Sequence, residues 1–282
     1  MSLYTSYSAK SDAEFLRLVG LSQAAFLLVV EKVRAAIAAY HQKRPARARG
    51  RKPSLSLEDR VLLTFVYLRS YPTFLVLGTQ FGISESYAHK IYSFIVLMLL
   101  QALPVPNDKS LSLESVKVAL DVSEQPIERP QQKQQDYYSG KKKQHTIKAL
   151  LVVCLCTRLI LAVRCGKGRQ HDYKLFQGSK LPLHKQAAIK ADSGFQGIQK
   201  AFARAQVPYK GTKKKPLTKE QKKYNRELAQ ERIVIEHINR ECKIFRICQA
   251  KYRGKHKNYT RTWKLVAALV NFKQATQHLT IT

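Results

Sequence analysis

The chain is poor in acids. Its 19 Asp and Glu stand against 50 Lys and Arg, a formal net charge of +31 over 282 residues. A surface so positive repels itself until a polyanion neutralises it, so nucleic acid is the expected partner and an acidic membrane surface the weaker alternative. Long apolar runs are lacking as well. The longest, Phe94–Leu100 and Ala149–Cys156, fall far short of the ~20 residues that span a bilayer, and no membrane segment is expected. The opening stretch MSLYTSYSAKSDAEF has no charged-then-apolar build, so no secretory signal is expected. Cysteines are few and odd in number: Cys154, Cys156, Cys165, Cys242 and Cys248, none in a C-x-x-C pair. Buried reduced thiols in a cytoplasmic protein are the expectation, in place of a zinc site or a disulfide framework.

What is present is enough apolar material, 45% of residues, to build one large or two medium domains. Phe26, Val29, Val30, Val33 and Ile37 recur at helical spacing up to Tyr40, with Ser22 as N-cap. A basic stretch follows from His41 to Lys52 and reads as a linker or phosphate-binding arm, with Arg51 and Lys52 as DNA-contact candidates. Ser56 and Asp59 open a second helix that ends near Arg69. A short helix from Thr73 to Phe81, the turn Gly82-Ile83-Ser84 and a helix from Glu85 to Leu100 make a helix-turn-helix pattern. Gly82 permits the left-handed turn, Ser84 caps the next helix, and Ser86, Tyr87, His89, Lys90 and Tyr92 are expected on its outer face. An ordinary helical hairpin fits the motif equally well; the net charge favours DNA.

Periodicity changes after Pro104-Val105-Pro106-Asn107. Val116 to Leu120 reads as a strand, and His145–Leu155 with Leu159–Val163 as a hairpin around Cys156-Thr157-Arg158. Ala187–Ala191 is a short apolar segment. Gly194–Ala205 is expected to be helical and Val207–Tyr209 a short strand. Lys210–Lys223, with seven lysines and one acid, is expected to be a mobile loop. Tyr224–Phe245 and Thr260–Gln277 are expected helices. The fold class is therefore mixed α/β: an N-terminal all-helical part followed by a mixed sheet flanked by helices.

Scarcity makes the remaining acids informative. Asp121 follows the strand Val116–Leu120, Asp192 follows Ala187–Ala191, and Glu236 lies inside a long helix. A carboxylate at the end of a buried strand is costly without a cation to hold. Three such groups would form an all-oxygen site suited to Mg²⁺ or Mn²⁺. Two ions about 3.5–4 Å apart can activate an attacking oxygen and stabilise a leaving one. Each acid alone could equally be a turn cap. Arg232, Glu236 and Lys243 share one helical stripe, with Ile235, Ile238, Cys242 and Phe245 beside it as the core-facing stripe. The two cations could grip phosphates; a solvent-exposed ion-pair row is the plainer alternative.

Several stretches together carry a family resemblance. They are Gly50-Arg51-Lys52-Pro53, Tyr71-Pro72-Thr73-Phe74, Asp121-Val122-Ser123-Glu124 with Ile127-Glu128-Arg129-Pro130, and Tyr137 through Lys143 with His145-Thr146. His171-Asp172, Asp192 with Gly194-Phe195-Gln196-Gly197, and Arg232 through Glu236 to Lys243 complete the set. From about Arg51 to Thr262 the chain resembles bacterial insertion-sequence transposases of the DDE class, in the subgroup with an N-terminal helix-turn-helix and a ribonuclease-H-like core. The resemblance implies residues 1–52 as a helical region and basic linker, 53–104 as the DNA-binding helix-turn-helix and 105–282 as the catalytic domain. It implies Asp121, Asp192 and Glu236 as the catalytic, metal-holding triad for two Mg²⁺ ions, with Mn²⁺ able to substitute. Arg129, Lys141, Lys142, Lys143 and His145 join Arg232 and Lys243 as implied DNA contacts. Ala229 departs from the Tyr of the family signature, and Ser123 from a frequent Thr. The implied partners are double-stranded DNA, as terminal inverted repeats and target, and a second copy of the chain, since two ends are joined. The implied location is the bacterial cytoplasm, at the nucleoid. The competing readings are a non-catalytic helix-turn-helix regulator and a domesticated, inactive relative.

Overall fold

The protein is described as a computed structural model covering residues 2–43 and 53–277. Arg51 and Lys52, with most of the basic linker, lie outside the described residues. The chain forms two compact units, Met1–Val105 with Lys243–Ala250 and Ala268–Thr282, and Pro106–Cys242 with Lys251–Ala267.

The first unit is helical: α1 (Leu3–Ser8), α2 (Asp12–Val19), α3 (Gln23–Lys43), α4 (Leu57–Ser70), α5 (Phe74–Gln80) and α6 (Glu85–Ala102). The first two helices were not legible in the sequence; both are short, and α2 is held by a capping box between Ser11 and Glu14. Ser22 caps α3 as expected, its hydroxyl accepting from the Ala25 N–H at 3.3 Å. The expected stripe of α3 is buried at Phe26, Val29, Val30 and Val33. Phe26 meets Phe15 and Phe65 edge-on at 5.5 and 5.7 Å between ring centres. Val61 through Leu68 of α4 are all buried, which makes α4 the axis of this unit.

The helix-turn-helix lies in α5 and α6. Thr73 caps α5, Gly82 takes a left-handed φ of 64°, and the Ser84 hydroxyl accepts from the Tyr87 N–H at 3.3 Å. Ser86, His89 and Lys90 are exposed, while Tyr87 is half-buried. Tyr92 departs from expectation. It is half-buried in an aromatic cluster, 4.5 Å from Tyr67 and 5.6 Å from Phe74. Tyr67 in turn stacks on Phe74 at 4.4 Å, and this cluster joins α4, α5 and α6.

The second unit holds β1 (Lys117–Pro126), α7 (Gln134–Tyr137), β2 (Tyr138–Ser139), β3 (Gln144–Cys154), β4 (Ile160–Lys167), α8 (Asp172–Gly178), β5 (Ala188–Ala191), β6 (Ala205–Gln206), α9 (Lys219–Lys243) and α10 (Tyr259–Gln277); the last two helices end in or run into the first unit. β4 pairs antiparallel with β3, β3 antiparallel with β1, β1 parallel with β5, and β5 parallel with β6. Three antiparallel strands followed by two parallel ones form the mixed sheet of a ribonuclease-H-like core. One face is covered by Leu175, Phe176, Phe195 and Ile198 packed on Val118, Leu120, Leu150, Val152 and Ile189.

Several local expectations are corrected. Asp121 does not end its strand: β1 continues to Pro126 because β3 goes on pairing with it after β5 has stopped. Gly194–Ala205 is no helix but two 3₁₀ turns, Ser193–Phe195 and Ile198–Lys200, separated by Gly197 at φ 94°. The short strand is Ala205–Gln206, two residues before the expected one. Lys219–Lys223 belong to α9, and only residues 210–218 form a loop, in which Thr212 and Lys215 exchange backbone hydrogen bonds of 3.0 and 3.2 Å. The hairpin between β3 and β4 forms without Gly because Arg158 itself takes a φ of 60°. Cys242 and Cys248 are buried and Cys154 and Cys165 half-buried as expected, but Cys156 is exposed; burial pushes the Cys165 thiol up to about 12. No single helix among the described residues is long and apolar enough to cross a membrane.

Loss of the α6 cap should be measurable. Ser84→Ala is expected to destabilise the helical unit by about 1 kcal/mol, read as a lower urea midpoint at unchanged slope.

Candidate active site

Strand pairing sets the first two acids side by side. The parallel register between β1 and β5 ends at Leu120↔Ala191; Asp121 is the next residue of β1, and Asp192 is the first residue after β5. Asp192 opens a 3₁₀ turn, its Oδ1 accepting the Gly194 N–H at 2.9 Å. Alternation along β1 puts Asp121 and Ser123 on the face opposite Leu120. There the amide of Asn239 on α9 donates to Asp121 Oδ2. A second tie, between Lys190 of β5 and Glu231 of α9, holds the same helix over the neighbouring strand. Glu236 lies between these two ties and three residues before Asn239, so it occupies the helix turn next to Asp121. Its side chain is exposed, whereas Ile235, Ile238 and Cys242 are buried as the stripe reading expected.

The site carries unused hydrogen-bonding capacity. Among the described residues, four buried side-chain polar atoms lack a partner: Ser123 Oγ, Arg232 Nε, Asn239 Oδ1 and Trp263 Nε1. Three of the four sit on the segments that carry Asp121 and Glu236. Buried polar atoms left unpaired are costly; Ser123 Oγ and Asn239 Oδ1 can accept from water on a divalent cation, whereas Arg232 Nε is a donor that needs an acceptor such as a phosphate oxygen. The donor set, all hard oxygen, fits Mg²⁺ or Mn²⁺. No three His, Cys, Asp or Glu side chains among the described residues stand close enough to share an ion.

A second acid braces the site from the other side. Asp172 is the first residue of α8, after the N-cap His171. Its Oδ1 accepts from Lys148 Nζ at 2.9 Å, and the same ammonium donates to the Gln170 carbonyl at 2.8 Å. A Cβ at residue 194 would meet Asp172 Oδ2 at 2.7 Å and Asp192 Oδ1 at 3.0 Å, so only glycine lets the two carboxylates flank this turn. Asn239 and Lys148 were missed in the sequence. Lys148 is a charge inside an apolar run, and Asn239 is a polar residue on the core-facing stripe of α9 with Ile235, Ile238 and Cys242; these are the signals that mark them.

The remaining DNA-contact candidates are surface groups. Lys141, Lys142 and Lys143 are exposed on the β2–β3 turn, and Lys143 takes φ 54°. His145 meets Tyr138 edge-on at 5.6 Å. Arg129 is exposed and donates to Gln134 at 2.9 Å. Arg232 and Lys243 are half-buried along α9.

The Lys148–Asp172 pair generates a prediction. Lys148→Met should destabilise the protein by about 2 kcal/mol, less than a fully buried pair because the Asp172 side chain keeps 26% exposure. Lys148→Met with Asp172→Asn should cost less than the two single changes together in denaturant titrations.

Comparison with known proteins agrees with this architecture. A family model described as DDE superfamily endonuclease matches residues 120–271. A second, the helix-turn-helix of DDE superfamily endonuclease, matches residues 53–104. A protein of Microchaete diplosiphon named "Probable transposase for insertion sequence element IS702" is 37% identical over 268 residues, covering 93% of this chain and 95% of the relative. With a mixed sheet behind a helix-turn-helix and sequence similarity along nearly its full length, the chain belongs to the DDE-class insertion-sequence transposases that carry an N-terminal helix-turn-helix.

Proposed function

We propose that the protein cuts DNA at the terminal inverted repeats of its own mobile element and joins the freed 3′-hydroxyls to target DNA. Asp121, Asp192 and Glu236 would hold two Mg²⁺ ions, or Mn²⁺ in their place. The observation that carries this reading is the adjacency of Asp121 and Asp192 across β1 and β5, with α9 tied over the same strands on either side of Glu236. Bound there, the ions would activate the attacking oxygen and neutralise the leaving one.

The protein's own groups do the positioning. Asn239 fixes one oxygen of Asp121, and the Gly194 N–H fixes one oxygen of Asp192. Neither carboxylate can then swing away as charge builds at the phosphate, which is the preorganisation that electrostatic catalysis needs. Arg232 and Lys243 offer cations to backbone phosphates, as do Arg129, Lys141, Lys142, Lys143 and His145. Ser86, Tyr87, His89 and Lys90 on α6 would read the ends through base edges and phosphates. No side-chain nucleophile takes part, so Tyr137 and Tyr138 serve packing and DNA contact. Joining two ends calls for at least a homodimer, and the substrate places the protein in the cytoplasm at the nucleoid. A DNA-binding regulator would have no use for carboxylates that follow matching positions of β1 and β5.

Asp121→Asn should abolish divalent-dependent cleavage of the element's ends while DNA affinity in gel shifts stays within about twofold of the parent. Parent-like cleavage by this variant would overturn the catalytic assignment. Asn239→Ala, which removes a group that only orients Asp121, should lower the cleavage rate by about 10–100-fold. Affinity for duplex DNA should fall steeply with salt, because each neutralised phosphate releases counterions; a flat salt titration would contradict the polyanion reading.

A further inference from the structure

Between β4 and α8 a cavity of about 340 Å³ is lined by Asp136, Lys167, Arg169, Gln170, His171 and Lys174. Three permanent cations and a histidine share it with one acid, and all four basic side chains are exposed. Its wall is rigid. The Gly168 N–H donates to the Thr146 carbonyl at 3.0 Å, the Arg169 N–H to the Asp136 carbonyl at 3.1 Å, and the Gln170 N–H to the Lys167 carbonyl at 3.0 Å. A Cβ at residue 168 would stand 2.0 Å from Thr146 Oγ1 and 2.6 Å from the Tyr137 carbonyl oxygen, so glycine alone lets the loop seat this closely. From below, Lys148 Nζ holds the Gln170 carbonyl. Lys167 is drawn to Asp136 at 2.6 Å, which keeps its ammonium at the rim of the cavity.

Position gives this cradle its meaning. His171 immediately precedes Asp172, whose Oδ2 flanks Gly194 together with Asp192. The chain thus runs directly from the cradle to a carboxylate that touches the turn carrying Asp192. We infer that the 167–174 segment is a DNA-backbone subsite in which Lys167, Arg169 and Lys174 hold a backbone phosphate of the bound DNA away from the bond being cut. The inference rests on the DNA-processing reading above and adds where the strand is gripped. Guanidinium and ammonium groups on a prearranged backbone fit a phosphate oxygen, and the single acid, Asp136, keeps the empty site from repelling itself.

The test uses the full chain and a mixed-sequence DNA duplex without divalent ions, so that it measures binding alone. The triple variant Lys167→Ala/Arg169→Ala/Lys174→Ala should bind at least about tenfold more weakly, and the slope of log affinity against log salt should shrink by about two to three. Asp136→Asn should tighten binding. An equal loss of charge at the opposite edge of the sheet, Lys185→Ala/Lys200→Ala/Arg204→Ala, should change the slope by less than half as much. Lys174→Glu serves as a second, single-site probe and should weaken binding in the same direction. An unchanged slope in the triple variant, or an equal change in the control variant, overturns the proposal. Either result leaves the cleavage experiment on Asp121 untouched, and a failure of that experiment leaves the binding slopes intact.

Discussion

Parallel pairing of β1 with β5 stops one residue short of Asp121 and Asp192, and this register governs the rest of the site. Strands in a sheet lie about 4.8 Å apart, so residues at matching positions of neighbouring strands are brought within reach of a shared ligand. A slip of one residue would send Asp121 to the face occupied by Leu120 and the apolar core. The register is pinned by burial on both sides: Val118, Leu120, Ile189 and Ala191 are fully buried on one face, and Ala119 is fully buried on the other. The core thus sets the register, because the apolar residues that must be inside decide that Asp121 and Asp192 follow the paired Leu120 and Ala191.

Holding carboxylates near one another is unfavourable unless other groups restrain and neutralise them. The structure does this with different partners for different acids. Asn239 restrains Asp121, a backbone N–H restrains Asp192, and buried Lys148 neutralises Asp172 on the other side of Gly194. Glu236 has an exposed side chain on a helix tied at both flanks. Three of the carboxylates are thereby held by partners, while the Glu236 side chain faces solvent.

Charge acts at two ranges. The net +31 draws any polyanion toward the protein without choosing a place for it. Locally, the rigid loop from Lys167 to His171 and the exposed lysines of the β2–β3 turn concentrate that charge at the edge of the sheet where β2 and β4 lie. The helix-turn-helix, held by the Tyr67–Phe74–Tyr92 cluster, offers a separate polar face on α6.

What the sequence determined by itself is the set of features that a few neighbouring residues can satisfy. The caps at Ser22, Ser56 and Ser84, the left-handed turn at Gly82, the buried stripe of α9 and the strand–hairpin–strand order are all of this kind. The scarcity of acids makes Asp121, Asp192 and Glu236 conspicuous in the sequence, without fixing how they are disposed in space. Tertiary structure alone decided that β1 runs past Asp121, that Gly194–Ala205 coils into 3₁₀ turns, and that Tyr92 turns inward. It alone joined Asn239 to Asp121 across 118 residues and Lys148 to Asp172 across 24. The physical reason is the range of the forces involved: caps and periodicity act within a turn or two of chain, whereas strand length, buried polar pairs and clefts depend on which distant surfaces the core brings together.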